Sequence, residues 1–92
     1  MIRSFRHRGL RRLYHNGQRA GIGADLIDPI ERILAVLDVA RRPEAVDLPR
    51  LRLHPLKGDL AGWWAVTVRA NWRIVFRFDD GDVSDVDLID YH

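Results

Sequence analysis

The stretch WWAVTVRANWRIVFRFDDGDVSDVDLID, from Trp63 to Asp90, decides the fold. Apolar residues recur there with a period of two, as they must on a strand with one face in a core. WWAVTVR and WRIVFRF read as two strands joined by a tight turn at Ala70-Asn71, and a third runs from about Asp82 to the end. Asp79-Asp80-Gly81 fits a three-residue hairpin loop with its glycine in the left-handed region. That loop predicts a register pairing Trp72 with Leu88 and Ile74 with Val86 on the core face. It sets Arg73 opposite Asp87 on the other face, with Tyr91 on the same side. A one-residue slip would bury Asp87, so the pattern specifies the register well.

Working outward, RLRLH at 50–54 predicts a preceding strand that Pro55 stops. Leu51 and Leu53 point one way, and Arg50, Arg52 and His54 the other. Before it the period becomes helical. Ile30, Ile33, Leu34, Leu37 and Ala40 form one stripe, started by Asp28, Pro29 and Glu31, with Asp25 as an earlier opening, and ended at Pro43. Leu10, Leu13 and Tyr14 mark a shorter helix that stops at Asn16-Gly17. Residues 2–5 fit a short strand. The expectation is one α+β domain over residues 1–92. Its two N-terminal helices pack on one face of a mainly antiparallel sheet of four to five strands. The face left uncovered is predicted to collect Arg50, Arg52, His54, Arg73, Arg77 and Tyr91.

Ninety-two residues allow a single modest core. With no cysteine, disulfides, thiolate zinc sites and iron–sulfur clusters are excluded. The basic start lacks the apolar stretch of a signal peptide, and the longest apolar run, Ile33 to Leu37, is far too short to span a membrane. A soluble cytoplasmic protein is therefore expected. The net charge of +2 hides a blocky distribution: residues 1–24 carry six arginines and no acid, and residues 78–92 six aspartates and no base. Such a chain either presents a basic face to a polyanion or pairs its blocks across the fold.

Serine-nucleophile chemistry has no support here, because Ser4 and Ser84 lie in no nucleophile elbow. GQRAGIG stands between two helices, which is the wrong context for a dinucleotide fingerprint. His54 and His92 lack compact metal-ligand spacing, so no metal or other cofactor is expected. Metal-free RNA cleavage asks for less. A base must take the proton of the 2′-hydroxyl, an acid must protonate the departing 5′-oxygen, and cations must hold the phosphoryl oxygens. His54 and His92 supply imidazoles, Asp90 a carboxylate to orient one, and Arg73 and Lys57 the cations. Tyr91 can stack on a base.

LHPLKGDLAGWWAVTVRANWRIVFRF, Leu53 to Phe78, with the closing Asp90-Tyr91-His92, resembles the HigB-type toxins of the RelE/ParE superfamily. The opening IRSFRHRGLRRL resembles their usual start. The resemblance implies a RelE-like fold and a ribosome-dependent messenger-RNA endonuclease that needs no metal. It implies catalytic roles for His54, Asp90, Tyr91 and His92, and RNA contacts from Lys57, Asn71 and Arg73. The implied partners are a helix-turn-helix antitoxin of the HigA type, the 70S ribosome with its messenger RNA, and operator DNA reached only through the antitoxin. Two rivals stay open: a ParE-like inhibitor of DNA gyrase on the same fold, and a non-catalytic DNA-binding module.

Overall fold

A computed structural model describes residues 1–91. Helix α1 spans Arg8–Asn16. The Leu10 amide donates to Nδ1 of His7 at its start, and Gly17 ends it at φ 67°, its amide donating to the Leu13 carbonyl and the Gln18 amide to that of Arg12. Helix α2, Ile27–Val39, begins earlier than the Asp28 signal implies. A 3-10 turn over Ala24–Leu26 leads into it, so Asp28 lies in the first turn, where its negative charge favours the positive end of the helix dipole, and makes no side-chain cap. The predicted stripe holds: Ile30, Ile33, Leu34, Leu37 and Ala40 are all buried.

The sheet has the order β1-β2-β3-β4, all antiparallel, with β1 at His54–Pro55, β2 at Trp63–Arg69, β3 at Trp72–Asp79 and β4 at Asp82–Asp90. Along the far edge of β4 the first residues run parallel, bridging Ile2 to Val83 and Phe5 to Val86. The helices cover one face, where Val66, Ile74, Phe76, Val83, Val86 and Leu88 meet the stripe of α2 and Leu10 and Leu13 of α1. Among the described residues no helix is long and apolar enough to cross a membrane.

Three expectations about the sheet need correction. The segment 50–54 is not a strand; ladder pairing begins at His54 and includes Pro55. Arg52 breaks the line at φ 51°, and ahead of it the Leu51 carbonyl reaches β2, accepting from the Thr67 amide. Leu51 and Leu53 still pack on the core. The second correction is the hairpin loop, which has two residues and not three. Asp79 pairs with Asp82, and Asp80 and Gly81 both take positive φ, 51° and 79°, as a type I′ turn requires.

The third is the register. Ile74 pairs with Leu88, Val75 with Asp87 and Arg73 with Ile89. The shorter turn moves the pairing by one residue, and a bulge opposite Val75–Arg77 moves it by one more. Asp85 there holds φ 55°. Two single steps restore parity, so every residue beyond the bulge keeps its predicted face with a different partner.

Candidate functional site

On the face without helices, the registers lay out rows of side chains. His54, Ala65, Val75 and Asp87 form one row across the four strands. Thr67, Arg73 and Ile89 form the next. Beyond it the Tyr91 amide donates to the Asn71 carbonyl at 2.7 Å, which docks the end of the chain on the β2–β3 turn. Asn71, Arg73 and Tyr91 thus meet at one end of this face. His54 lies at the β1 edge, and Lys57 follows it in the exposed connection to β2. Three strand spacings of about 4.8 Å separate the β1 and β4 edges, roughly 14 Å. A single proton transfer does not bridge that; an extended substrate does.

His54 is exposed, and its Nδ1 lies 3.1 Å from the carbonyl of Arg52. A carbonyl only accepts, so a hydrogen bond there requires Nδ1 to carry the proton, leaving the Nε2 lone pair of the neutral ring to act as a base. The left-handed kink at Arg52 sits two residues before this ring. Arg73 is anchored through Nη1, which donates to the carbonyls of Ala70 (2.6 Å) and Trp72 (3.1 Å). The expected pairing with Asp87 is not made: the Asp87 carboxylate accepts from the Leu88 amide. The guanidinium is therefore fixed by the turn backbone through Nη1.

Asp90 pairs with Trp72, whose side chain packs on the core, so alternation places Asp90 toward the helix-covered side of the sheet. Tyr91, half exposed, belongs to the face of Arg73. His92, the fourth expected catalytic residue, lies outside the described residues. Two of the cations expected on the open face are elsewhere or occupied. Arg50 lines an apolar groove of about 650 Å³ with Pro29, Ile33 and Val36 of α2, on the other side of the sheet edge. Arg77 is engaged by Asp85 at 2.6 Å and lies 3.9 Å from Asp79.

The open face does carry one cation that the sequence reading did not place there. The Arg6 guanidinium lies 4.7 Å from the ring centre of Trp63. Only the tertiary pairing of the first residues with β4 brings them together, so no local signal reveals it.

The acidic strand is largely matched. The Arg77 hydrogen bond holds the Asp85 carboxyl below the usual carboxylate range, against the opposing effect of its burial. Arg3 donates through Nε to Asp82 at 2.8 Å and lowers that carboxyl in the same way. The cross-fold pairing of opposite charge blocks is thus present, and the basic block at the start of the chain supplies part of it.

Comparison with known proteins agrees with this architecture. A family model described as "RelE-like toxin of type II toxin-antitoxin system HigB" matches residues 3–92. The chain is 44% identical over 92 residues to "Endoribonuclease HigB" of Proteus vulgaris, covering 100% of both chains. It is 28% identical over 83 residues to "Toxin HigB-1" of Vibrio cholerae, covering 88% of this chain and 87% of that one. Among solved structures, the YoeB dimer of Staphylococcus aureus superposes with a TM-score of 0.61 at 17% identity, over 99% of this chain and 94% of that one. A YafQ mutant from E. coli gives 0.60 at 13% identity, over 95% and 87%. These two likenesses speak to the fold alone. With the fold, the layout of the open face and a match over nearly every residue in agreement, the chain belongs to the HigB family of RelE-like toxins of type II toxin–antitoxin systems.

Proposed function

We propose that this protein is an endoribonuclease that cuts messenger RNA on the ribosome, by attack of the 2′-hydroxyl on the adjacent phosphorus and without a metal. The observation that carries the reading is the open sheet face. It presents an exposed imidazole whose Nδ1 lies against a backbone carbonyl, a guanidinium pinned by the turn backbone and an exposed phenol along one side of the molecule. The 44% identical relative named as an endoribonuclease supports the same reaction.

In this reading His54 and His92 share the proton transfers, and Arg73 holds the phosphoryl oxygens where charge accumulates. Tyr91 stacks on a base, and Lys57 and Asn71 hold the flanking RNA. Asp90 acts on the neighbouring His92. Because His54 and the end of β4 lie at opposite sheet edges, the RNA strand itself connects the two groups of residues. A type II toxin implies an antitoxin partner. We infer that it is a helix-turn-helix protein of the HigA type, and that the complex reaches operator DNA through it.

Incubating the purified protein with ribosomes programmed with a defined message tests the reading. A 2′,3′-cyclic phosphate and a 5′-hydroxyl at the new ends are expected, with DNA gyrase left fully active. Intact message together with inhibited supercoiling would replace the nuclease by the gyrase-directed alternative.

A further inference from the structure

The half of the open face beside His54 is built differently from the half beside Tyr91. Ala65 and Val75 lie on this face, which no helix covers, yet they are only 1% and 5% exposed. The Trp63–Arg77 pair lies in the next row on this face, and Arg6 lies over Trp63. The Arg6 amide donates to the Val86 carbonyl at 2.8 Å, which fixes its backbone on the outer edge of β4. From there the side chain reaches across the sheet to the Trp63 ring on β2.

Trp63 is two residues from Ala65, the pairing partner of His54, so the stacked guanidinium and the imidazole are neighbours on one face. Arg6 is solvent-exposed and, among the described residues, makes no side-chain hydrogen bond. Arg77 closes on Asp85 by a hydrogen bond, and the charge of Arg6 adds a smaller pull on the same carboxylate without bonding it.

A guanidinium lying on an indole is held by cation–π attraction while its N–H donors point outward in the ring plane. Much of the entropy of ordering a long side chain is then lost before any ligand arrives, which favours tight contact with an anion. We propose that Arg6, seated on Trp63, is a binding site for an RNA backbone phosphate that carries the strand past His54. This rests on the ribonuclease reading and extends it: the RNA track runs from the Asn71–Arg73–Tyr91 end of the face to the His54 edge, with Arg6 at the second end.

The phosphate can come from the message or from ribosomal RNA, and binding to programmed and to vacant ribosomes separates the two. The probe is a message carrying a 2′-deoxynucleotide at the cleavage position, with affinity measured against salt concentration. Arg6→Ala is expected to weaken binding roughly tenfold at low salt and to reduce the slope of log affinity against log salt by about 0.7, the single-strand value for one phosphate contact. Arg6→Lys should restore the slope and only part of the affinity. Trp63→Leu should weaken binding although no charge is removed, and Trp63→Phe should stay near wild type.

A deficit on programmed ribosomes alone assigns the phosphate to the message; one on both assigns it to ribosomal RNA. Unchanged affinity and slope in Arg6→Ala would overturn the assignment while wild-type cleavage leaves the nuclease reading standing. Weaker binding together with a lowered melting midpoint, in both Arg6→Ala and Arg6→Gln, would make Arg6 a clamp on the fold and overturn it as well. Wild-type protein that neither binds nor cuts programmed ribosomes would overturn the nuclease reading itself, and this site with it.

Discussion

Arg73 is held by the turn it sits beside: Nη1 donates to the carbonyls of Ala70 and Trp72. A cation placed this way meets a phosphate without first reorganising. Replacing Arg73 with Ala is expected to slow message cleavage by about a hundredfold, the usual loss for one charge-stabilising contact. Arg73→Lys should recover part of that, because an ammonium cannot grip two oxygens at once. Single-turnover cleavage on programmed ribosomes measures both. Normal rates in Arg73→Ala would reduce the residue to a turn clasp. The chemistry each candidate side chain offers is legible in the chain, because imidazole, guanidinium and phenol are local to their residues; their roles are implied by the family resemblance and are a proposal. The positions of Arg6 and Arg50 are not legible there, since one depends on a bridge between the first residues and β4 and the other on where α2 packs.

At the scale of elements, the turns carry the strain. Ala70 holds φ 50° at the first position of the β2–β3 turn, a region that costs a Cβ-bearing residue about 1–2 kcal/mol. Glycine removes that cost and adds back roughly 0.4–1 kcal/mol of unfolded-chain entropy. Ala70→Gly should therefore be stabilising by about 0.5 kcal/mol, a rise in melting midpoint of roughly 2–4 °C. A lower midpoint would mean that the alanine methyl makes a contact worth more than the strain.

The same scale explains what pattern reading found and what it missed. Alternation identified β2, β3, β4 and their faces, because burial on one side acts on each strand independently. The register escaped, because it follows from a two-residue turn and a bulge at Asp85. That bulge is held by Ser4, whose hydroxyl accepts from the Asp85 amide, and by Arg77. Ser4 lies 81 positions away in the chain, beyond any local window. The segment 50–54 was misread for a related reason: its alternation is real, and Leu51 and Leu53 do face the core, but the Arg52 kink prevents a ladder.

Across the whole molecule, the basic beginning and the acidic β4 are stitched together at Arg3–Asp82, while Arg77–Asp85 joins β3 to the bulge. Both carboxyls are held below their usual range, so they bind fewer protons folded than unfolded. Stability from them is complete above the unfolded value near pH 4 and is lost as pH falls through the depressed folded values. Thermal melts should therefore drop steeply below about pH 4. Asp85→Asn should start less stable at pH 7 and decline less steeply with acid; an identical slope would remove Asp85 from the linkage.

The central claim is that the 2′-hydroxyl of the RNA is the nucleophile and that protein side chains, and not a metal, move its proton. The direct measurement places a single 2′-deoxynucleotide at the cleavage position of a message on programmed ribosomes, and follows the message with and without the protein. Magnesium can stay in the buffer, so the ribosome is intact in every arm. The account requires that this message remain whole while the all-ribose control is cut and ends in a 2′,3′-cyclic phosphate. Cleavage of the substituted message at the control rate would mean that water or another nucleophile attacks the phosphorus, and would contradict the account.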